Sequence, residues 1–185
     1  MSPAGFAPRQ DSDWPDMVAD MRAGFAGQLN VYRIMAHHPA LLRAWGDLRT
    51  HIVQNTALGP QRAEVVILRL AHRLDCAYEW NQHVVRALAA GLDKGRIASL
   101  RGSLAQMTAP DATLAGAVDA LVDHKRLAPA QLDDVVAMVG KTGALDLMAT
   151  VGMYMTLGFI LNTAPPDLEP AIAQALAQQA PELAV

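Results

Sequence analysis

Hydrophobic positions recur along this chain at helical spacing, every three or four residues, in stretches bounded by proline, glycine or capping residues. The clearest stretch follows Gly59-Pro60, where Val65, Leu68 and His72 share one stripe and other apolar residues fill in beside it. This pattern predicts a helix over residues 60–73 that is apolar nearly all round. We find no stretch of alternating polarity bounded by hairpin turns and no internal repeat. The pattern therefore predicts an all-α fold, a single-domain helical bundle.

Capping and breaking residues place the other helices. The predicted starts are Asp13 with Pro15, Asn30, Pro39, Asp75 (for a helix over 76–90 ending at Gly91), Asp93 and Pro129. A further helix is expected around Leu114 to Val122, a long apolar one over 144–162, and a last one over 169–185. Residues 1–12 show no periodicity and are predicted to be a flexible arm, so the domain is predicted to span 13–185.

Composition supports the helical prediction and excludes some partners. Of the 185 residues 52% are hydrophobic, and alanine and leucine supply more than half of these. The net charge is -3, and the basic residues are scattered. A scattered basic set gives no electrostatic footprint for nucleic acid or for an anionic membrane surface, so neither partner is expected.

The single cysteine, Cys76, cannot form an intramolecular disulfide, and a spare thiol suits a reducing compartment. The N-terminus has no signal-peptide pattern, so a cytoplasmic location is expected. The stretch 144–161 is long enough to span a membrane, but it contains Asp146. We expect it to be buried in the core or in a subunit interface.

Titratable residues concentrate in one segment of the apolar middle of the chain. Cys76, Glu79 and His83 are three and four residues apart, so on a helix they lie on one face. Glu64 joins them if the helices over 60–73 and 76–90 pack antiparallel, and all four groups would then meet in one pocket. A carboxylate beside an imidazole raises the pKa of the imidazole, which favours acid/base chemistry. The alternative is that the Glu–His pair only makes a surface or interface hydrogen bond.

The segments 62–71, 76–84 and 87–92 resemble the core of the carboxymuconolactone decarboxylase family, which includes the AhpD-like alkylhydroperoxidases. The segments 29–45 and 151–162 resemble the flanking parts of longer members. The most specific piece is the order of Glu64, Cys76, Glu79 and His83 at intervals of twelve, three and four. The resemblance implies an AhpD-like helical fold.

The peroxidase branch of the family has cysteines at the positions of both Cys76 and Glu79, and its mechanism needs the second thiol. Glu79 cannot replace that thiol, so the resemblance favours the decarboxylase branch, a cofactor-free lyase acting on a small carboxylated or lactone-type metabolite. In this interpretation His83 is the proton donor, Glu79 orients it or relays the proton, and Glu64 fixes its tautomer. Cys76 is then a minor polar neighbour or a relic of the redox branch. The alternatives are a one-cysteine thiol peroxidase (peroxiredoxin-like) and a non-catalytic oligomeric binding protein.

Substrate contacts are predicted from residues near this cluster. The candidates are Trp80, Tyr78, Arg69 and Tyr154, and Arg62 and Arg73 are further basic candidates. No metal or other cofactor is predicted, since the adjacent His37 and His38 would point about 100° apart on a helix with no third ligand nearby. Glu64, Glu79 and His83 could form a two-carboxylate, one-histidine metal set, but the resemblance does not favour it. The resemblance also implies a homo-oligomer, a trimer or hexamer.

Overall fold

The computed structural model describes residues 5–185, and within them it contains helices and no strand, which confirms the all-α prediction. The α-helices are α1 (Phe25–Gln28), α2 (Asn30–Met35), α3 (Pro39–Thr50), α4 (Pro60–Arg73), α5 (Ala77–Ala89), α6 (Lys94–Ser99), α7 (Ala109–His124), α8 (Pro129–Thr163) and α9 (Pro170–Gln179). A π-helical turn, His51–Asn55, continues α3. Short 3-10 helices are also present, at Asp11–Asp13, Asp16–Met21, Leu104–Gln106 and Pro181–Leu183.

Helix α4 lies at the centre of the bundle and packs against α5, α7 and α8. Its bounds match the predicted 60–73, and neighbours on several sides bury most of it, although Gln61 and Arg62 are exposed. Val65, Val66, Leu68 and Leu70 have no exposed surface. Burying a side chain of this kind stabilises the fold by about 1.5–3 kcal/mol, so α4 contributes a large part of the apolar burial in the bundle.

A tight turn joins α4 to α5 and makes the two helices antiparallel. Asp75 has φ +49°, the Cys76 N–H donates to the Ala71 carbonyl at 2.9 Å, and the Asp75 N–H donates to the His72 carbonyl at 3.2 Å. This left-handed arrangement is a Schellman closure of α4. The predicted helix cap at Asp75 is therefore wrong, because Asp75 ends α4 and Cys76 takes the N-cap position of α5.

The N-terminal region differs from the prediction in two ways. The helix expected from Asp13 is replaced by two 3-10 helices and the one-turn α1. Residues 1–4 of the predicted flexible arm lie outside the described part. The rest of that arm is held on α2, because Arg33 donates to the Arg9 carbonyl at 2.6 Å and pairs with Asp11 at 2.7 Å.

Helix α8 runs as two pieces, because Gly140 has φ +71° and ψ 175° and interrupts the helical backbone. Two helices were predicted here, one starting at Pro129 and a long apolar one over 144–162. The two pieces of α8 correspond to them and meet at Gly140. By length and composition alone α8 could cross a membrane, but more than half of its most apolar part is buried in the fold. That buried part packs against α4 and α7.

Candidate active site

His83 lies between two carboxylates inside the α4–α5 pair. Its Nδ1 is 2.7 Å from Glu64 Oε2, and its Nε2 is 3.4 Å from Glu79 Oε2. Glu64 comes from α4, while Glu79 stands one turn before His83 on α5. The antiparallel packing thus brings three of the four predicted groups together.

The surroundings of His83 favour its charged form. Burial disfavours the imidazolium, but the charge and hydrogen bond of Glu64, assisted by Glu79, outweigh burial and raise the pKa of His83. The side chain is almost fully buried, so bulk water does not screen these interactions. The arrangement holds a proton on a buried ring, with a carboxylate at each nitrogen.

Glu79 and His83 line a narrow cavity formed mainly by α2, α3, α5 and α8. The lining residues are Leu29, Val31, Tyr32, Arg49, Val53, Tyr78, Glu79, Gln82, His83, Arg86, Tyr154 and Leu157. The free space is about 20 Å³, close to what one water molecule needs. Leu29, Val53 and Arg86 are partly exposed and form the rim.

Two arginines supply positive charge to this cavity. Among residues 5–185, neither Arg49 nor Arg86 has a carboxylate within 4.0 Å. Arg49 is 9% exposed, its guanidinium lies 4.4 Å from the centre of the Phe25 ring, and its Nε has no hydrogen-bond partner in the described residues. A buried cation is normally paired, so the buried Arg49, with Arg86 at the rim of the same cavity, marks a place where an anion can bind.

Tyrosines form part of the cavity wall. The Tyr154 ring stands edge-on to the His83 ring, with 5.2 Å between the centroids. Burial, together with the nearby charge of Glu79, raises the pKa of both Tyr154 and Tyr32, so both hydroxyls stay protonated and can donate. Tyr78 also lines the cavity and donates to Glu169 Oε1 at 2.5 Å. Two of the predicted contact residues, Tyr78 and Tyr154, are thus at the cavity.

Cys76 does not share this cavity, which corrects the expectation that all four groups meet in one pocket. It lines two other clefts, one with His72 and Arg101 and one with Asn162. Burial raises the pKa of the Cys76 thiol to about 11, against the lowering effect of the backbone N–H groups of Glu79 and Tyr78.

Arg69 and Trp80, predicted to contact substrate, are also outside the cavity. Arg69 is paired with Asp119 at 2.7 Å, and Arg73 shares that carboxylate at 3.0 Å. Trp80 donates from its indole N–H to the Leu183 carbonyl at 2.7 Å and lines the cleft beside Cys76. Arg62 is exposed on α4. The predicted basic residues are therefore paired with acidic residues or exposed on α4, and the arginines that line the cavity come from α3 and α5.

Sequence reasoning missed Arg49, Arg86, Tyr32, Gln82 and Glu169. Arg86 follows His83 by three residues, so helical spacing could have placed it on the same face. The other helices bring in Arg49, Tyr32 and Glu169 from distant parts of the chain. For the described residues, no group of three or more His, Cys, Asp or Glu side chains is arranged to hold a metal ion.

Comparison with known proteins finds a family match for the middle of the chain. Residues 39–122 match the model of the carboxymuconolactone decarboxylase family. The segment contains Glu64, Cys76, Glu79 and His83, as well as Arg49 and Arg86. A comparison with curated proteins finds no match.

A solved structure has the same fold as this chain. It is the debrominase Bmp8, crystallised as a cysteine-to-alanine variant in complex with 2,3,4-tribromopyrrole. The TM-score is 0.75 at 14% sequence identity, and the match covers 96% of this chain and 99% of that chain. The AhpD-like helical fold is thereby confirmed, and together with the family match it suggests an enzyme.

Proposed function

We propose that this protein is a cofactor-free acid–base enzyme of the carboxymuconolactone decarboxylase type, a lyase that removes carbon dioxide from a small carboxylated or lactone-type metabolite. The observation that carries the proposal is the position of His83. It is held between Glu64 and Glu79 at the wall of a cavity that also presents two arginines without carboxylate partners.

The arginines fit an anionic substrate. Arg49 and Arg86 are on different helices, α3 and α5, and both line the cavity. A guanidinium binds a carboxylate through two parallel N–H bonds, which fixes its orientation as well as its position. The free space is smaller than a metabolite, so the substrate displaces the partly exposed rim residues as it enters.

His83 is suited to the protonation step. Cleavage of the carbon–carboxylate bond leaves the electron pair on the substrate as an enolate and releases carbon dioxide. The Nε2 proton of the His83 imidazolium then passes to the enolate carbon, and the ring recovers a proton from water through Glu79. Glu64 keeps Nδ1 hydrogen-bonded throughout, which directs the transferable proton to Nε2.

Cys76 argues against the thiol peroxidase alternative. A peroxidatic cysteine reacts as the thiolate, whereas burial raises the pKa of Cys76 to about 11. The chain has no second cysteine to resolve a sulfenic acid. Cys76 also lines different clefts from His83.

The test is turnover by the purified protein on a panel of β-keto acids and lactone carboxylates, followed as carbon dioxide release. We expect His83→Ala to abolish turnover and Cys76→Ala to retain it. Arg49→Gln and Arg86→Gln are expected to raise KM, by about tenfold or more for loss of a charged hydrogen bond. Arg62→Gln, on the exposed side of α4, is the matched control and should behave as wild type.

The alternatives predict different results. A thiol peroxidase would consume peroxide with an external thiol and would lose this activity in Cys76→Ala. A non-catalytic binding protein would bind carboxylates without turning them over. Either result would overturn the lyase proposal.

A further inference from the structure

Gln82 presents a fixed amide at the cavity that holds His83. It is 2% exposed and lines the cavity beside Glu79. Its Nε2 donates to a carboxylate oxygen of Glu169 and lies 3.4 Å from the Tyr78 hydroxyl. A carboxylate only accepts hydrogen bonds, so the NH₂ end of the Gln82 amide has to face Glu169.

Glu169 is itself held from two other sides. Its Oε1 accepts from the Tyr78 hydroxyl at 2.5 Å and from the Asn30 backbone N–H at 2.6 Å. It precedes α9 and thus connects the C-terminal part of the chain to α2 and α5. These bonds prevent the Gln82 amide from turning over, because the turned amide would set two acceptors against each other.

The other end of the amide has no partner. Among residues 5–185, no group lies within hydrogen-bond distance of Gln82 Oε1, although this oxygen is buried. Leaving a buried acceptor unpaired costs about 1–3 kcal/mol. Arg49, which lines the same cavity, also has an unpaired polar atom, of the opposite kind, its donor Nε.

We propose that Gln82 is a specificity-determining residue whose Oε1 accepts a hydrogen bond from a hydroxyl or N–H group of the substrate. The proposal rests on the proposed function and narrows its substrate class to carboxylates that also carry such a donor. Arg49 and Arg86 bind the acceptor end of the molecule, and Gln82 binds the donor end. A methyl ether in place of the hydroxyl leaves Oε1 unpaired and adds bulk in a narrow cavity.

The test is a comparison of dissociation constants for small probes, measured by titration calorimetry or ligand-observed NMR. The probes are 2-, 3- and 4-hydroxybutanoate, their O-methyl ethers, and butanoate. We expect at least one hydroxy acid to bind wild type about tenfold or more tightly than its ether, in line with a hydrogen bond to a buried polar group. In Gln82→Met this ratio should fall close to one while butanoate binds as in wild type.

Two further variants complete the design. Glu169→Gln leaves Gln82 in place but lets its amide turn, so the ratio should fall there as well. Gln61→Met, at an exposed glutamine that donates to the Ala90 carbonyl, is the matched control and should keep the wild-type ratio. Thermal unfolding of each variant establishes that it is folded.

The possible failures are distinguishable. If no carboxylate probe binds wild type, the anion site of the proposed function fails. If carboxylates bind and Arg49→Gln weakens them, but hydroxy acids and ethers bind equally well, the role of Gln82 is overturned. The same conclusion follows if the preference for the hydroxyl persists in Gln82→Met or in Glu169→Gln.

Discussion

Replacing Arg69 by methionine separates a stabilising arginine from the arginines of the cavity. The Arg69 side chain is 8% exposed, and its Nε and Nη2 donate to the two oxygens of Asp119 at 2.9 and 2.7 Å. Its Nη1 donates to the carbonyls of Leu100 and Gly102, both at 2.9 Å. One guanidinium thus connects α4 to α7 and to the turn after α6.

The expected cost follows from these contacts. Removing one partner of a buried ion pair destabilises a protein by about 3–5 kcal/mol. Asp119 keeps Arg73 at 3.0 Å, and its side chain is 19% exposed, so the lower end of that range applies. For a chain of this length, a loss of about 3 kcal/mol lowers Tm by about 6–12 °C.

The assay is thermal and urea unfolding of Arg69→Met beside Arg62→Met, an exposed position on the same helix where we expect no change beyond about 0.5 kcal/mol. Below its Tm, Arg69→Met should bind the carboxylate probes as tightly as wild type. A wild-type Tm for Arg69→Met would refute the structural role. Loss of probe binding by the folded variant would instead restore the original prediction that Arg69 contacts substrate.

Three further results are expected. The NMR titration midpoint of His83 should lie above 6.5 and fall in Glu64→Gln, because the carboxylates raise the pKa of His83. The stabilisation from this pairing is then complete below pH 6.5 and is lost as the pH rises through the folded-state pKa. A midpoint unchanged by Glu64→Gln would contradict the pairing. Cys76 should resist alkylation by iodoacetamide at neutral pH and react faster toward pH 11. Labelling is measured by mass spectrometry, with the unfolded protein as the control. Rapid labelling of the folded protein at pH 7 would contradict the raised pKa of Cys76. Light scattering at micromolar concentration should give a multiple of 19.8 kDa, a trimer or hexamer. The reason is that Leu145 and Phe159 expose 66% and 62% of their surface on the apolar α8. Leu145→Glu and Phe159→Glu should lower that mass, and a monomer in wild type would count against self-association.

The local part of the site could be predicted from the sequence. Glu79 and His83 are one turn apart on a helix, and a short link forces the helix that carries Glu64 to run antiparallel beside them. Helical spacing determines the first fact, and the length of the link determines the second. The spacing does not specify which way an N-cap side chain points, so Cys76 was placed in the wrong cavity.

The remaining part of the site depends on tertiary packing. The sequence of α4 does not show whether Arg69 points to the cavity or to α7, because its partner Asp119 lies 50 positions further along the chain. Arg49 precedes His83 by 34 positions, and no local pattern marks it as a neighbour. Aspartate is a residue type that favours the N-cap of a helix, but Asp75 instead adopts a left-handed conformation and ends α4.

The hydrogen bonds of Glu169 also have a consequence for the order in which the site is completed during synthesis. The acid–base groups and both cavity arginines are all translated before residue 90. Glu169, which sets the orientation of Gln82, is translated 87 residues after Gln82. A nascent chain that has released only α1 to α8 therefore carries the reacting groups with a Gln82 amide that is free to turn. Selectivity for a hydroxyl is added last, when the segment leading into α9 docks against α2 and α5.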